Sequence, residues 1–121
     1  AMVKVVINAC YGGFSLSHEA IMRYAEIAGI TLYLEQDKRF SYFNYWTKLK
    51  EERKDENGGF WYDRDLDRSD PILVQVVEEM GEKSWGGCAE LKVIEIPDGV
   101  TWEIDEYDGF EQVEEAHRTW S

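Results

Sequence analysis

Residues 2 to 9, MVKVVINA, constrain the fold more than any other stretch. A near-continuous apolar run of this length has the character of a buried strand. It is far too short for a signal-peptide core, and no stretch of the chain approaches the roughly 20 apolar residues that span a bilayer. The segment behind it, CYGGFSLSHEA, leads into a helix: Ser17 suits the N-cap and Glu19 the first turn. Ile21, Tyr24, Ala25 and Ala28 then recur at helical spacing up to Gly29. In ITLYLEQD, Ile30, Leu32 and Leu34 alternate with Thr31, Tyr33 and Glu35, as in a half-buried strand. The chain is therefore expected to open on a βαβ-like or βαβ-hairpin unit.

Residues 40 to 46, FSYFNYW, are aromatic and strand-prone, whereas TKLKEERKDENGG is too charged to be anything but an exposed helix end or loop. FWY at 60 to 62 restarts a short strand. Ser69 or Asp70 as N-cap with Pro71 at the first helical position is a strong start signal. Ile72, Leu73, Val76, Val77 and Met80 share one face of the helix that follows, and Gly81 closes it. The runs AELKVIEI and VTWEIDE read as two strands about the turn Pro97-Asp98-Gly99. In the second, Val100, Trp102 and Ile104 face one way, and Thr101, Glu103 and Asp105 the other. Asp108 with Glu111 three residues on resembles a capping box, which predicts a short C-terminal helix with Phe110 and Val113 inward. The expected fold is α+β: a single globular domain over 1–121, with a mixed or mostly antiparallel sheet, two main helices and a short C-terminal helix.

The charge is uneven. Residues 1 to 68 hold 10 basic and 11 acidic side chains and residues 69 to 121 hold 3 and 14, so the net charge of −12 belongs to the C-terminal half. A field of that sign repels duplex nucleic acid and anionic membranes; an anionic ligand must sit where Arg and backbone amides overcome it locally. Cys10 and Cys88 form no CxxC pair and read as reduced, buried thiols of a cytosolic protein, with a bridge between them as the alternative.

The strand, loop, helix order around CYGGFSLSHEA is that of a phosphate-binding turn, with Asn8, Tyr11, Ser15, Ser17 and His18 in reach and Gly12-Gly13 offering amides. It matches neither GxxxxGK[ST] nor GxGxxG, and two glycines equally serve a tight turn. In YDRDLDRSD the alternating Asp residues echo a calcium loop, but Arg68 and Val74 stand where its Gly and Glu belong. Arg64 and Arg68 pair with neighbouring Asp residues or serve as forks for an anion, and they are the best anion-binding residues of the chain. Neither His18 nor His117 belongs to a metal-ligand pattern, so no metal and no cofactor is expected. Cys10 with a histidine, or the carboxylates from Glu103 to Asp108, form no catalytic set above background. Phe40, Tyr42, Phe43, Tyr45, Trp46, Phe60, Trp61 and Tyr62 are more rings than one small core needs; they supply a ligand platform, or core and homodimer contacts.

INACYGGFSLSHEA together with EIPDGVTWEIDEYDGFEQVEEAHRTW resembles a family of short proteins carried by bacteriophages and prophages. The likeness covers both ends and the region from Arg64 to Met80, not the middle from Phe40 to Gly59. The family's matching polar positions are Asn8, Tyr11, Gly12, Gly13, Ser15, Ser17, Arg64, Asp70, Tyr107, Asp108, His117 and Arg118. The resemblance implies a phage accessory protein of the bacterial host cytoplasm, one that counters host defence without being an enzyme.

Together these readings favour a homo-oligomeric binding protein that sequesters a small nucleotide-like signalling molecule without catalysis. Gly12-Gly13 amides, Arg64, Arg68 or Arg118 would hold the anion, and aromatic rings the base. The alternatives are an acidic protein that inhibits a basic host protein and, behind it, a small nucleotide-acting enzyme.

Overall fold

The computed structural model describes residues 1–37, 39, 42–55 and 58–115. Strand β1, Met2–Asn8, runs antiparallel to β5, Leu91–Pro97, with Val5 opposite Ile94 and Val6 opposite Val93. Alternation explains why both stretches are so apolar. Val6, Leu91 and Val93 point to one side of this ribbon, and Val3, Val5, Ile7, Ile94 and Ile96 to the other. Each side is covered by a different layer, so neither face of β1 needs polar residues.

The first side carries two helices. In α1, His18–Ala28, Ser17 caps the first turn by accepting the Ala20 N–H, and Gly29 ends the helix in the left-handed region. In α2, Pro71–Met80, Asp70 is the cap and accepts the Ile72 N–H at 2.8 Å. Ala20, Ile21, Tyr24 and Ala25 meet Leu73, Val74, Val76 and Val77 over Val6. The same cluster takes in Leu32, just before β2, and Tyr45 and Trp61 from a three-stranded antiparallel sheet of β2 (Tyr33–Asp37), β3 (Tyr42–Trp46) and β4 (Phe60–Trp61), in that order. The described part of the charged segment after β3 is mostly exposed loop with one 3-10 turn, Lys50–Glu52.

The other side of the ribbon is covered by β6, Trp102–Tyr107, paired with β7, Phe110–Glu115. Trp102, Ile104 and Val113 pack on Val5, Ile7 and Ile96. The fold is thus α+β with antiparallel pairing, as expected, but three local expectations are corrected. First, no short C-terminal helix forms over the described residues that follow Asp108. Tyr107 lies opposite Phe110, and Asp108 and Gly109 between them have φ of 51° and 87°. That is the two-residue hairpin turn with positive φ at both positions, which Asp-Gly favours; Glu111 sits three residues after Asp108 only because β7 begins there. Second, β5 and β6 do not pair: the turn at 97 to 99 passes the chain from the ribbon to the layer above it. Third, β2 joins a sheet separate from β1, so the opening is not a βαβ unit.

Among the described residues no helix is long and apolar enough to cross a membrane.

Candidate functional site

A cleft of about 530 Å³ opens where the start of α1, the strands β3 and β4 and the loop at residues 84–87 converge. Phe43 and Tyr45 lie two apart on β3 and so share a face, with Trp61 of β4 directly opposite Tyr45. Tyr45 and Trp61 belong to the core, but Phe43, Phe60 and Tyr62 keep 41%, 44% and 42% of their surface exposed around the cleft. The rings of Phe60 and Tyr62 stand 6.1 Å apart, and the His18 imidazole lies 5.0 Å from Phe43. Of the surplus of rings seen in the sequence, Tyr45 and Trp46 therefore serve the core, while these three line an opening. Phe40 lies outside the described residues.

Three polar side chains, His18, Tyr45 and Asp63, set the chemistry inside. His18 Nδ1 and Tyr45 Oη are hydrogen-bonded at 2.8 Å. Burial, reinforced by the carboxylates of Asp63 and Glu19, pushes the Tyr45 hydroxyl up to about 12, so it stays protonated at neutral pH. Asp63 begins a 3-10 turn, Asp63–Asp65, and its Oδ2 accepts the Leu16 N–H at 2.9 Å. Burial raises this carboxyl above the ordinary value; the Leu16 amide and the Arg64 guanidinium pull the other way and only partly offset it. Among the described residues no Lys or Arg lines the cleft. Its walls can stack on a flat ring system, and its floor can exchange hydrogen bonds with the edge of one.

The structure gathers Ser15, Ser17 and His18 of the expected site residues at this cleft. Ser17 is also structural: its hydroxyl donates to the Lys83 carbonyl at 2.6 Å while capping α1. Asn8 and Arg68 lie elsewhere and are engaged. Asn8 is fully buried, donating to the carbonyls of Cys10 and Gly109 and accepting the Glu90 N–H. Arg68, read from the sequence as a fork for an anion, holds the Glu111 carboxylate in two bonds and lies 3.7 Å over the Phe14 ring. Its anion belongs to its own chain. Arg64 is exposed, with its Nε donating to the Phe14 carbonyl and its guanidinium against Gly13.

Gly12 and Gly13, with φ of 107° and 103°, pack on the hairpin turn. Gly12 N–H donates to the Asp108 carbonyl at 3.1 Å, and a Cβ on Gly109 would lie 2.7 Å from Gly12 N. The glycines allow two turns to touch. Tyr11 and Tyr107 line a second, smaller hollow on the hairpin's outer face. His117 and Arg118 lie outside the described residues. Cys88 is exposed and Cys10 half-buried, so the expectation of two buried thiols holds for neither in full.

Asp63 and the Gly86-Gly87 side of the cleft were not among the expected site residues, and Tyr45 was expected only as one ring of the aromatic cluster. The Asp/Arg run concealed Asp63 because its spacing is the same as that of its solvent-facing neighbours. Among the described residues no group of three or more His, Cys, Asp or Glu side chains is arranged to hold a metal ion.

No family model, curated protein or solved structure matches the chain.

Proposed function

We propose that the protein binds a small nucleotide-like molecule without chemically altering it, holding the base of that molecule in the aromatic cleft. The observation that carries this reading is the convergence of three half-exposed rings, Phe43, Phe60 and Tyr62, on a cleft whose polar groups include Asp63, Tyr45 and His18. Exposed rings around a desolvated carboxyl favour a heterocycle, because stacking is worth roughly 1–3 kcal/mol per base and the carboxyl can accept from an amino edge. Among the described residues no Lys or Arg lines the cleft and the chain carries −12, so the phosphates remain at the mouth of the cleft, outside it. Arg64, adjacent to Asp63, is the cation best placed by sequence to meet them.

The resemblance to phage-borne proteins supports a setting in which the bound molecule is a host immune signal and the protein sequesters it in the bacterial cytoplasm. Covering the exposed rings at the rim is a role for a second copy of the chain, in line with a homo-oligomer.

The test is a thermal-shift screen of the intact protein against cyclic dinucleotides, cyclic mononucleotides and ADP-ribose derivatives. A ligand present at 100 times its Kd stabilises by roughly 2.7 kcal/mol, a shift of several degrees for a domain this size. The same molecule should be released unaltered on denaturation. Absence of any shift across the panel, or recovery of a converted product, defeats the reading.

A further inference from the structure

The outward face of the β6–β7 hairpin combines carboxylates with exposed aromatic rings. Glu103, Asp105 and Tyr107 alternate along β6, and their cross-strand partners on that face are Glu114, Gln112 and Phe110. Tyr11, reaching over from the loop after β1, stacks against Phe110 with ring centroids 5.4 Å apart. Tyr107 is 78% exposed and Tyr11 58%, far more than aromatic side chains kept for packing. The rings, with Asp105 and Gln112, surround a hollow of about 310 Å³. The strip thus has an aromatic end at the turn and a carboxylate end at the strand termini. Among the described residues Glu103, Asp105, Tyr107, Gln112 and Glu114 on this strip are exposed.

Two features of the strip select a cation. Glu103 stands directly opposite Glu114, a like-charge pair that destabilises a hairpin; neither it nor Asp105 belongs to an ion pair among the described residues. Exposed ring faces attract the same ions through their quadrupoles, most strongly arginine and lysine. A phosphate would meet three carboxylates here, and an apolar partner would have to strip water from them.

We propose that this face docks an extended lysine- or arginine-bearing segment of a partner protein. Successive same-side residues of such a segment fall at the strand repeat, about 6.6–6.8 Å, which is also the spacing of Glu103, Asp105 and Tyr107 along β6. One basic side chain enters the hollow between Tyr11, Tyr107 and Phe110, and those following it meet Asp105 and the Glu103–Glu114 pair. The face is distinct from the aromatic cleft, and its occupancy does not depend on what the cleft holds.

The experiment is fluorescence anisotropy of the intact protein with two labelled octapeptides of equal charge, one alternating lysine and threonine, the other with its four lysines in a block. The alternating peptide is expected to bind at least tenfold tighter than the block peptide, with affinity falling steeply as salt rises. The combined variant Glu103→Gln, Asp105→Asn, Glu114→Gln should weaken it at least tenfold. A control with the same change in net charge, Glu51→Gln, Glu52→Gln, Glu82→Gln, should leave it within twofold. Tyr107→Ala, at a site too exposed to affect folding, should weaken it at least threefold. Equal loss in both combined variants, equal binding of the two peptides, or no effect of Tyr107→Ala overturns the proposal.

Discussion

Arg64 and Arg68 are four residues apart in one Asp-rich segment, and nothing in their immediate sequence separates them. The fold does: Arg68 is half-buried against Phe14 and Glu111, while Arg64 stays at the surface. The deciding residue, Glu111, lies 43 positions away, so no local pattern could have shown that Arg68 is occupied. Asp63 is a similar case, since its neighbours Asp65 and Asp67 are exposed. Its burial leads to a pH prediction. Because the folded-state pKa of Asp63 lies above the ordinary carboxylate value, burial penalises the charged form. The folded state is therefore disfavoured fully above that raised pKa and not at all below the ordinary value. In Asp63→Asn the amide oxygen can still accept from Leu16 N–H, and the charge is gone. Melting temperatures of the two proteins should nearly coincide at about pH 3.5, with the variant gaining as pH rises towards about 7. A difference that stays constant across this range would show that burial of the charge is not what Asp63 contributes.

At the scale of elements, capping and turn residues were legible where they act locally. Ser17, Gly29, Asp70, Pro71 and Gly81 mark both main helices where the structure has them. The alternation in VTWEIDE likewise gave the inward face of β6 correctly, with Trp102 and Ile104 against the ribbon. The misreading at Asp108 came from a spacing shared by two motifs, a capping box and an Asp-Gly turn that happens to precede a Glu. What separates them is the apolar pattern: Trp102 and Ile104 repeat by two, as a strand requires, and Val113 falls opposite Ile104 once the strands pair about Asp108-Gly109. Strand partners were not legible, because β5 and β1 are more than 80 residues apart and only tertiary packing joins them. Gly109 combines both demands of the hairpin turn, a φ of 87° and close contact with Gly12 and Gly13. Gly109→Ala should thus lower stability by more than about 1 kcal/mol, read as a drop in urea midpoint with unchanged slope. An unchanged midpoint would mean that the two turns can separate freely.

Over the whole molecule, the β1–β5 ribbon is a partition with helices on one side and the acidic hairpin on the other. This arrangement segregates the chemistry as well as the layers. The aromatic cleft opens on the helical side, beside α1 and the three-stranded sheet, while carboxylates and exposed tyrosines lie on the far face of the hairpin. The opening stretch CYGGFSLSHEA links the two: its glycines pack against the hairpin turn, and its Ser15, Ser17 and His18 reach the cleft. The sequence displayed the rings and the acidity but not this division, which depends on which layer covers which face of β1.

The central claim, that the cleft holds a nucleotide-like molecule by its base, is tested most directly by isothermal titration of one such ligand from the screen into the wild-type protein and into Phe43→Ala. Phe43 is 41% exposed, so its removal leaves the fold intact while taking away one stacking wall. Loss of a stacking contact worth about 1–3 kcal/mol predicts an affinity weakened roughly 5- to 150-fold, with one site per chain in both proteins. Equal affinity in the two proteins would place the ligand elsewhere and contradict the assignment of the cleft.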